Sequence, residues 1–287
     1  MSERGMGDRA ASSSGPGRGI CAGDTVLLAD VGNSRIKLAR LDDFAADAGL
    51  PTVARRQDLD SRGFHPDNLE RWLLAVAPGP AVILVASVYE AAATRLEATV
   101  AEISATTHRP VRQRRIGHQD LPLAVALDEP HKVGIDRLAA AAAASLVKPA
   151  GRPAVIVDCG TAVTVDMVAA DGRFLGGAIL PGPALMARAL ADGTSKLPAV
   201  AALVGGELPA MPGRSTEAAI AAGIGHGIRG AVARLVAEAR AASGGDAATI
   251  LTGGWADAVR DVLPDAVVIP DLVLTGIALG AGRACGR

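Results

Sequence analysis

Apolar residues along this chain gather into short runs that end at an Asp-x-Gly turn and resume on its far side, and they do so twice. Residues 25–30 (TVLLAD) read as a buried strand, residues 30–34 (DVGNS) as a turn, and residues 35–41 as a partly alternating return strand. Residues 42–66 are mixed and support no assignment. A helix is expected over 68–76, a buried strand over 81–85 and a second helix over 91–105. The basic stretch 109–115 reads as a solvated edge or connection. After Pro130, Gly134 to Arg137 open an alanine-rich helix that runs to 147, and residues 148–153 (KPAGRP) form a linker.

The opening pattern then returns. Residues 154–157 (AVIV) read as an apolar strand, 158–161 (DCGT) as a turn, 162–168 as an alternating strand and 170–172 as a hairpin turn. A third strand over 173–180 stops at Pro181 and Gly182. Helices are expected over 184–191, 216–222, 228–242, 254–262 and 272–282, with a further strand over 248–251. Strand, D-x-G turn and strand at Asp30 and again at Asp158 form an internal repeat, spaced by about one domain. The repeat predicts an α/β protein of two similar halves facing each other across a cleft. Their expected limits are 24–128 and 129–287, behind a flexible tail over 1–23.

Length and composition agree with that picture. A chain of 287 residues has room for two halves with a core each, and 49% hydrophobic against 21% charged residues argues for a folded globular protein. A net charge of -1 provides no field for a polyanion, and 2% aromatics leaves little to stack on bases, so no nucleic-acid partner is expected. Cys21, Cys159 and Cys285 are odd in number, far apart and without C-x-x-C spacing, which points to a reducing cytoplasm rather than a disulfide framework. No apolar stretch is long enough to span a bilayer, so no membrane partner is expected, and residues 1–23 lack the apolar core of a signal peptide.

Three constellations carry chemistry. In the first turn, Gly32 lets backbone N–H groups close on phosphate oxygens, Asn33 and Ser34 add side-chain donors, and Asp30 can hold a Mg²⁺-bound water. Lys37 on the return strand would neutralise phosphate charge; alone, the segment reads better as an ordinary hairpin, and the second copy changes that weighing. The second turn repeats the arrangement with Asp158, Gly160, Thr161 and Thr164, and the glycines of 176–182 (GGAILPG) follow it. In the third, Asp136 either caps the alanine-rich helix or serves as base for a substrate hydroxyl, with Arg137 pairing charge on substrate or phosphate. The glycines of 252–254 (TGG) suit either a backbone lying against adenine or ribose or a plain strand-to-helix turn. The G-x-G-x-x-G of 225–230 follows a helix and not a strand, so a dinucleotide site is excluded by context, and no P-loop motif is present. The five histidines lack metal-ligand spacing.

These residues resemble the type III pantothenate kinase family, within the actin-like/hexokinase-like ATPase superfamily. The resemblance runs from about 25 to 285 and rests on DVGNSRIK (30–37), GIDR (134–137), DCGTAVT (158–164), GGAILPG (176–182), DGTSKLP (192–198), RSTEAAIAAGI (214–224) and TGG (252–254), all in family order. It implies two duplicated actin-like (ribonuclease H-like) domains around a central cleft. The implied activity is ATP-dependent phosphorylation of pantothenate to 4'-phosphopantothenate, the first step of coenzyme A biosynthesis. By the same resemblance, Asp30, Val31, Gly32, Asn33, Ser34, Arg35, Ile36, Lys37 and Thr161 would contact ATP, which brings Mg²⁺. Gly134, Ile135, Asp136, Arg137 and Thr194 would contact pantothenate, with Asp136 as proton acceptor. Asp158 would help hold a monovalent cation, K⁺ or NH₄⁺, and the family works as a homodimer.

The sequence departs from the family at a few points. Leu127 stands where a substrate-contacting Tyr is common, Ser34 replaces the usual Thr, and Ala140 and Ala141 lie where an Asn is common. Two rival readings are another small-molecule kinase or phosphatase of the superfamily, and a non-catalytic Bvg accessory factor-like regulator. Retention of Asp136, Asp158 and the turn glycines in the GIDR and DCGTAVT contexts favours the pantothenate kinase reading.

Overall fold

The computed structural model describes residues 20–21, 23–43, 49–201 and 208–282. The expected tail, 1–23, lies almost wholly outside the described residues, as does Cys285. Strands β1 (Thr25–Val31), β2 (Arg35–Asp43), β3 (Thr52–Asp60), β4 (Ala81–Ser87) and β5 (Val111–Arg115) form one sheet in the order β3-β2-β1-β4-β5. Strands β6 (Ala154–Cys159), β7 (Ala162–Val168), β8 (Phe174–Pro181), β9 (Ala248–Thr252) and β10 (Val267–Val268) form the other, in the order β8-β7-β6-β9-β10. In each sheet the first strand runs antiparallel to its hairpin partner and parallel to the fourth. The repeat seen in the sequence is therefore a repeat of topology.

Period-two alternation decides which way each strand faces. In β1, Leu27, Ala29 and Val31 enter one core with α1 (Pro66–Val76) and α2 (Glu90–Thr107), while Val26 and Leu28 enter a second core on the opposite face. In β6, Val155, Val157 and Cys159 pack on α5 (Thr216–Ala242), whereas Ala154 and Ile156 join the same second core as Val26 and Leu28. That shared core is filled by α3 (Ile135–Val147) and α6 (Leu272–Gly282), which lie between the sheets. Asp30 continues the parity of Val26 and Leu28, and Asp158 that of Ala154 and Ile156. Both carboxylates therefore point toward the layer between the sheets, at the strand ends where apolar filling stops.

The two central helices approach closely because their facing residues are small. Ala139 to Ala144 of α3 are all buried, and a Cβ built on Gly276 of α6 would overlap the Ala139 carbonyl. Only glycine admits this crossing. Ala140 and Ala141 thus serve helix packing.

Several expectations need correction. The unassigned stretch 42–66 contains β3, an edge strand whose polar residues mask its pairing with β2. The helices expected over 216–222 and 228–242 are one helix, α5. Its glycines each cost about 1 kcal/mol, but the buried stripe Ile220, Ile224, Ile228, Val232 and Val236 runs through them at a spacing of four, and each full burial returns roughly 1.5–3 kcal/mol. The helix expected over 254–262 is a 3-10 segment, Ala256–Val262, and β10 was not foreseen. Asp136 is not the N-cap of α3; Gly134 occupies that position and Asp136 lies in the first turn. The basic stretch 109–115 does lie at an edge, as expected: it supplies strand β5, where Arg114 pairs with Asp120 and Arg115 with Glu90 and Glu97.

Candidate functional site

The two hairpins bring their polar residues together at the open ends of β1 and β6. Asp30 lies directly across β1–β2 from Lys37, and cross-strand partners share a face, so Lys37 Nζ reaches Asp30 Oδ2 at 3.4 Å. Asp158 lies across β6–β7 from Thr164. The first turn is closed by the Gly32 N–H donating to the Arg35 carbonyl (3.0 Å), and the second by the Gly160 N–H donating to the Ala162 carbonyl (3.2 Å). The Thr161 hydroxyl donates to Ser34 Oγ at 2.9 Å, so the turns touch. Trp255 Nε1–H donates to the Gly160 carbonyl (2.9 Å), and a Cβ at Gly182 would lie 2.6 Å from the Thr161 carbonyl oxygen, which packs β8 tightly under the second turn.

Helix α3 adds the third carboxylate. Asp136 Oδ1 accepts the Arg137 backbone N–H (2.8 Å), and a Cβ at Gly134 would sit 2.5 Å from that same oxygen. The glycine of GIDR makes room for the carboxylate. Gly134 also lies against Val88, whose N–H donates to the Val31 carbonyl (3.1 Å), so the start of α3 is seated at the end of β1.

Charge couples these groups. Burial raises the Asp30 carboxyl above its ordinary range; Lys37 opposes the shift and Asp136 and Asp58 add to it. Burial likewise raises Asp136, against the pull of the Arg137 backbone N–H and guanidinium. Asp158 is pushed up to about 6, chiefly by burial, with Lys37 opposing and Asp30, Asp136 and Asp166 reinforcing. Lys37 is raised: burial works against its charge, but Asp30 and Asp158 outweigh it. The cluster of Asp30, Asp136, Asp158 and Asp166 thus holds more carboxylates than its cations, Lys37 and Arg137, neutralise.

The residues proposed from sequence divide by position. Asp30, Gly32, Ser34, Lys37, Asp136, Arg137, Asp158 and Thr161 converge. Val31 and Ile36 bury their side chains in the α1–α2 core, which leaves only their backbone for a ligand, and Ile135 packs on the central core. Asn33 is exposed at the tip of the turn, and Arg35 is exposed beside Asp58 at 3.5 Å. Thr194 caps the end of α4 (Pro183–Gly193), where its hydroxyl donates to the Leu190 carbonyl (2.8 Å) and accepts the Leu197 N–H (3.3 Å). No contact joins Thr194 to the cluster among the described residues. Leu127, 36% exposed, lies beside Gly176 in a segment paired with Phe174.

Two contributors escaped the sequence reading. Asp166, 1% exposed, bonds the Arg137 guanidinium. Its signal was its parity in β7, which matches Thr164. Ser61, at the end of β3, donates its hydroxyl to the Gly32 carbonyl (2.7 Å) and its N–H to the Ser34 carbonyl (3.2 Å), bracing the first turn. Nothing local in the sequence marks it.

A cation fits here. Asp158 Oδ1 is buried and has no hydrogen-bond partner, a costly state for an oxygen unless an ion or ligand satisfies it. No group of three or more His, Cys, Asp or Glu suited to a metal occurs among the described residues, so an ion would complete its shell from other oxygens, such as phosphate.

The chain matches the type III pantothenate kinase family model over residues 26–238. It is 34% identical over 262 residues to the type III pantothenate kinase of Rhodopirellula baltica, covering 85% of this chain and 94% of the relative. It is 37% identical over 257 residues to that of Alkalilimnicola ehrlichii, covering 88% and 96%. A solved structure of a Baf family protein from Campylobacter jejuni shares the fold, with a TM-score of 0.54, 18% identity and coverage of 91% of this chain and 100% of that one.

Proposed function

The chain belongs to the type III pantothenate kinase family, and from that premise we propose how its own residues carry out the reaction. It transfers a phosphoryl group from ATP to pantothenate in coenzyme A biosynthesis. The observation that carries the mechanism is the convergence of Asp30, Asp136, Asp158 and Lys37 where the two hairpin turns meet.

The backbone of the Gly32 and Gly160 turns, with the Ser34 and Thr161 hydroxyls, receives the phosphates. Asp136 accepts the proton of the terminal hydroxyl of pantothenate as its oxygen bonds the γ-phosphorus and the bond to the ADP oxygen breaks. Phosphoryl transfer asks mainly for positioning, which the first turn of α3 provides. Lys37 balances charge on the phosphoryl oxygens. Asp30 and Asp158 would hold Mg²⁺ through its waters and a monovalent cation, K⁺ or NH₄⁺, and the orphaned Asp158 Oδ1 supports this. When bound, these ions would neutralise phosphate charge that the acidic cluster would otherwise repel.

The homodimer also belongs to this proposal. Leu175 and Ile179 of edge strand β8 and Leu185 of α4 are exposed, and an apolar groove of about 600 Å³ lies between α4 and α5, lined by Met186, Leu190, Leu197, Ile220 and Ile224. Exposed apolar surface of this kind favours a partner, and sedimentation equilibrium tests for a second copy. We retain the division between halves at 128/129, with α6 returning to pack on the first sheet. Among the described residues no helix is long and apolar enough to cross a membrane, and we place the enzyme in the cytoplasm, where ATP is supplied.

A coupled ADP-release assay with pantothenate, with and without K⁺, tests the reading. Turnover by the wild type and a loss of about 10²-fold or more in kcat for Asp136→Asn are expected. Full turnover by Asp136→Asn rejects Asp136 as proton acceptor.

A further inference from the structure

Resting on the reading that Arg137 faces pantothenate, we propose that Asp166 is a positioning residue that holds the Arg137 guanidinium in the orientation that receives the substrate's carboxylate. Arg137 Nε donates to Asp166 Oδ1 and Oδ2 at 3.1 and 3.2 Å, and Nη2 also bonds Oδ1. One edge of the planar fork is thereby committed to Asp166, and the Nη1 edge turns away from it. The guanidinium carbon lies 5.6 Å from the centroid of the Phe174 ring, which fixes the plane from a second direction.

The carboxylate is itself set in a cradle. Asp166 shares the inner face of β7 with Thr164, whose hydroxyl favours the ionised carboxylate. Gly177 lies directly opposite on β8, and a Cβ there would come within 2.6 Å of Asp166 Oδ1. A side chain at 177 would overlap the Val165 carbonyl and crowd the acid. The pair joins β7 to the first turn of α3, so the residue it orients is the immediate neighbour of Asp136.

Stability alone does not account for the arrangement. The side chains are 15% and 2% exposed, and a buried ion pair of this kind is commonly no more stabilising than apolar residues of equal volume. What apolar residues could not supply is an arginine with one edge fixed and the other presented. A carboxylate acceptor suits that free edge, because guanidinium binds carboxylates through paired N–H groups.

The test compares Asp166→Ala, Asp166→Asn, Arg137→Ala and the Arg137→Ala/Asp166→Ala double variant by steady-state kinetics and thermal melting. Asp166→Ala is expected to raise KM for pantothenate roughly 10-fold or more, the scale of a lost charge-assisted hydrogen bond, while KM for ATP stays within about twofold. Asp166→Asn, which keeps an acceptor oxygen, should recover part of the loss and melts near the wild type. The double variant should be no worse for pantothenate than Arg137→Ala alone. If Arg137→Ala raises that KM and neither Asp166 variant does, the positioning role is rejected and the site reading stands. If Arg137→Ala binds pantothenate as the wild type does, the site reading itself fails. Equal loss toward both substrates in Asp166→Asn assigns Asp166 a merely structural role and overturns the proposal.

Discussion

The hydroxyls of Ser34 and Thr161 are joined by a hydrogen bond of 2.9 Å between turns that lie 127 residues apart in the chain. Each belongs to one copy of the repeat, and each stands at the glycine turn of its own hairpin. The contact shows that the two turns face one point from opposite sheets, close enough for a single phosphate chain to bridge them.

Removing one hydroxyl should therefore act on the nucleotide. Thr161→Val is expected to raise KM for ATP about 10-fold, since a hydrogen bond to a charged group contributes roughly 1.5–3 kcal/mol. KM for pantothenate should stay near the wild-type value. Ser34→Thr, which keeps the hydroxyl, should leave both constants close to wild type. Initial-rate measurements with each substrate varied in turn check this.

Asp158 should impose a pH-dependent cost on the unliganded fold. Burial, partly opposed by Lys37, lifts its carboxyl from 3.8 to about 6. The native state then binds the proton more tightly than the unfolded chain, so the stability from protonated Asp158 is full below about pH 4 and lost as pH rises through about 6. Asp158→Asn should melt higher than the wild type at pH 7.5 and match it near pH 4. Adding ATP, Mg²⁺ and K⁺ should raise the melting temperature of the wild type more than that of Asp158→Asn. Parallel melting curves across pH decide the point.

Lys37 sits between Asp30 and Asp158, and their charges raise its pKa despite its burial. It stays protonated throughout the neutral range, so activity should show no loss between pH 7 and 9 from its titration. Lys37→Met leaves Asp30 and Asp158 without their counter-charge. It should lower kcat/KM for ATP by about 10²-fold or more, on the scale of other preorganised electrostatic contacts. Rates of Lys37→Arg and Lys37→Met measured together separate loss of charge from loss of shape.

Gly276→Ala tests the helix pair that carries Asp136. The added methyl overlaps the Ala139 carbonyl, a backbone atom that cannot swing aside. Overpacking of this kind costs on the order of 1–3 kcal/mol, so the melting temperature should fall by several degrees. Because α3 bears Asp136 at its start, kcat should fall with it, whereas Ala substitution at Gly227 of α5, where a Cβ meets no atom within 4 Å, should leave kcat unchanged and raise the melting temperature slightly.

Period-two alternation and glycine turns are local, and so the hairpins around Asp30 and Asp158 and their duplication were readable from residues 25–41 and 154–168 alone. The same local logic misled at α5, where glycines suggested a break that the Ile220-to-Val236 stripe overrode, and at Asp136, where capping statistics favoured a position that Gly134 holds. Other features depended on distant parts of the chain coming together. Ser61 braces Gly32 across 29 residues, Asp166 grips Arg137 across 29, and α6 returns from the end of the chain to fill the space between the sheets. No local pattern encodes such pairings, because each is selected by burial and by the need to satisfy polar groups once the sheets have closed on α3 and α6. Sequence named the residues proposed to carry the chemistry; only the packing of two sheets on one helical layer decided that they meet.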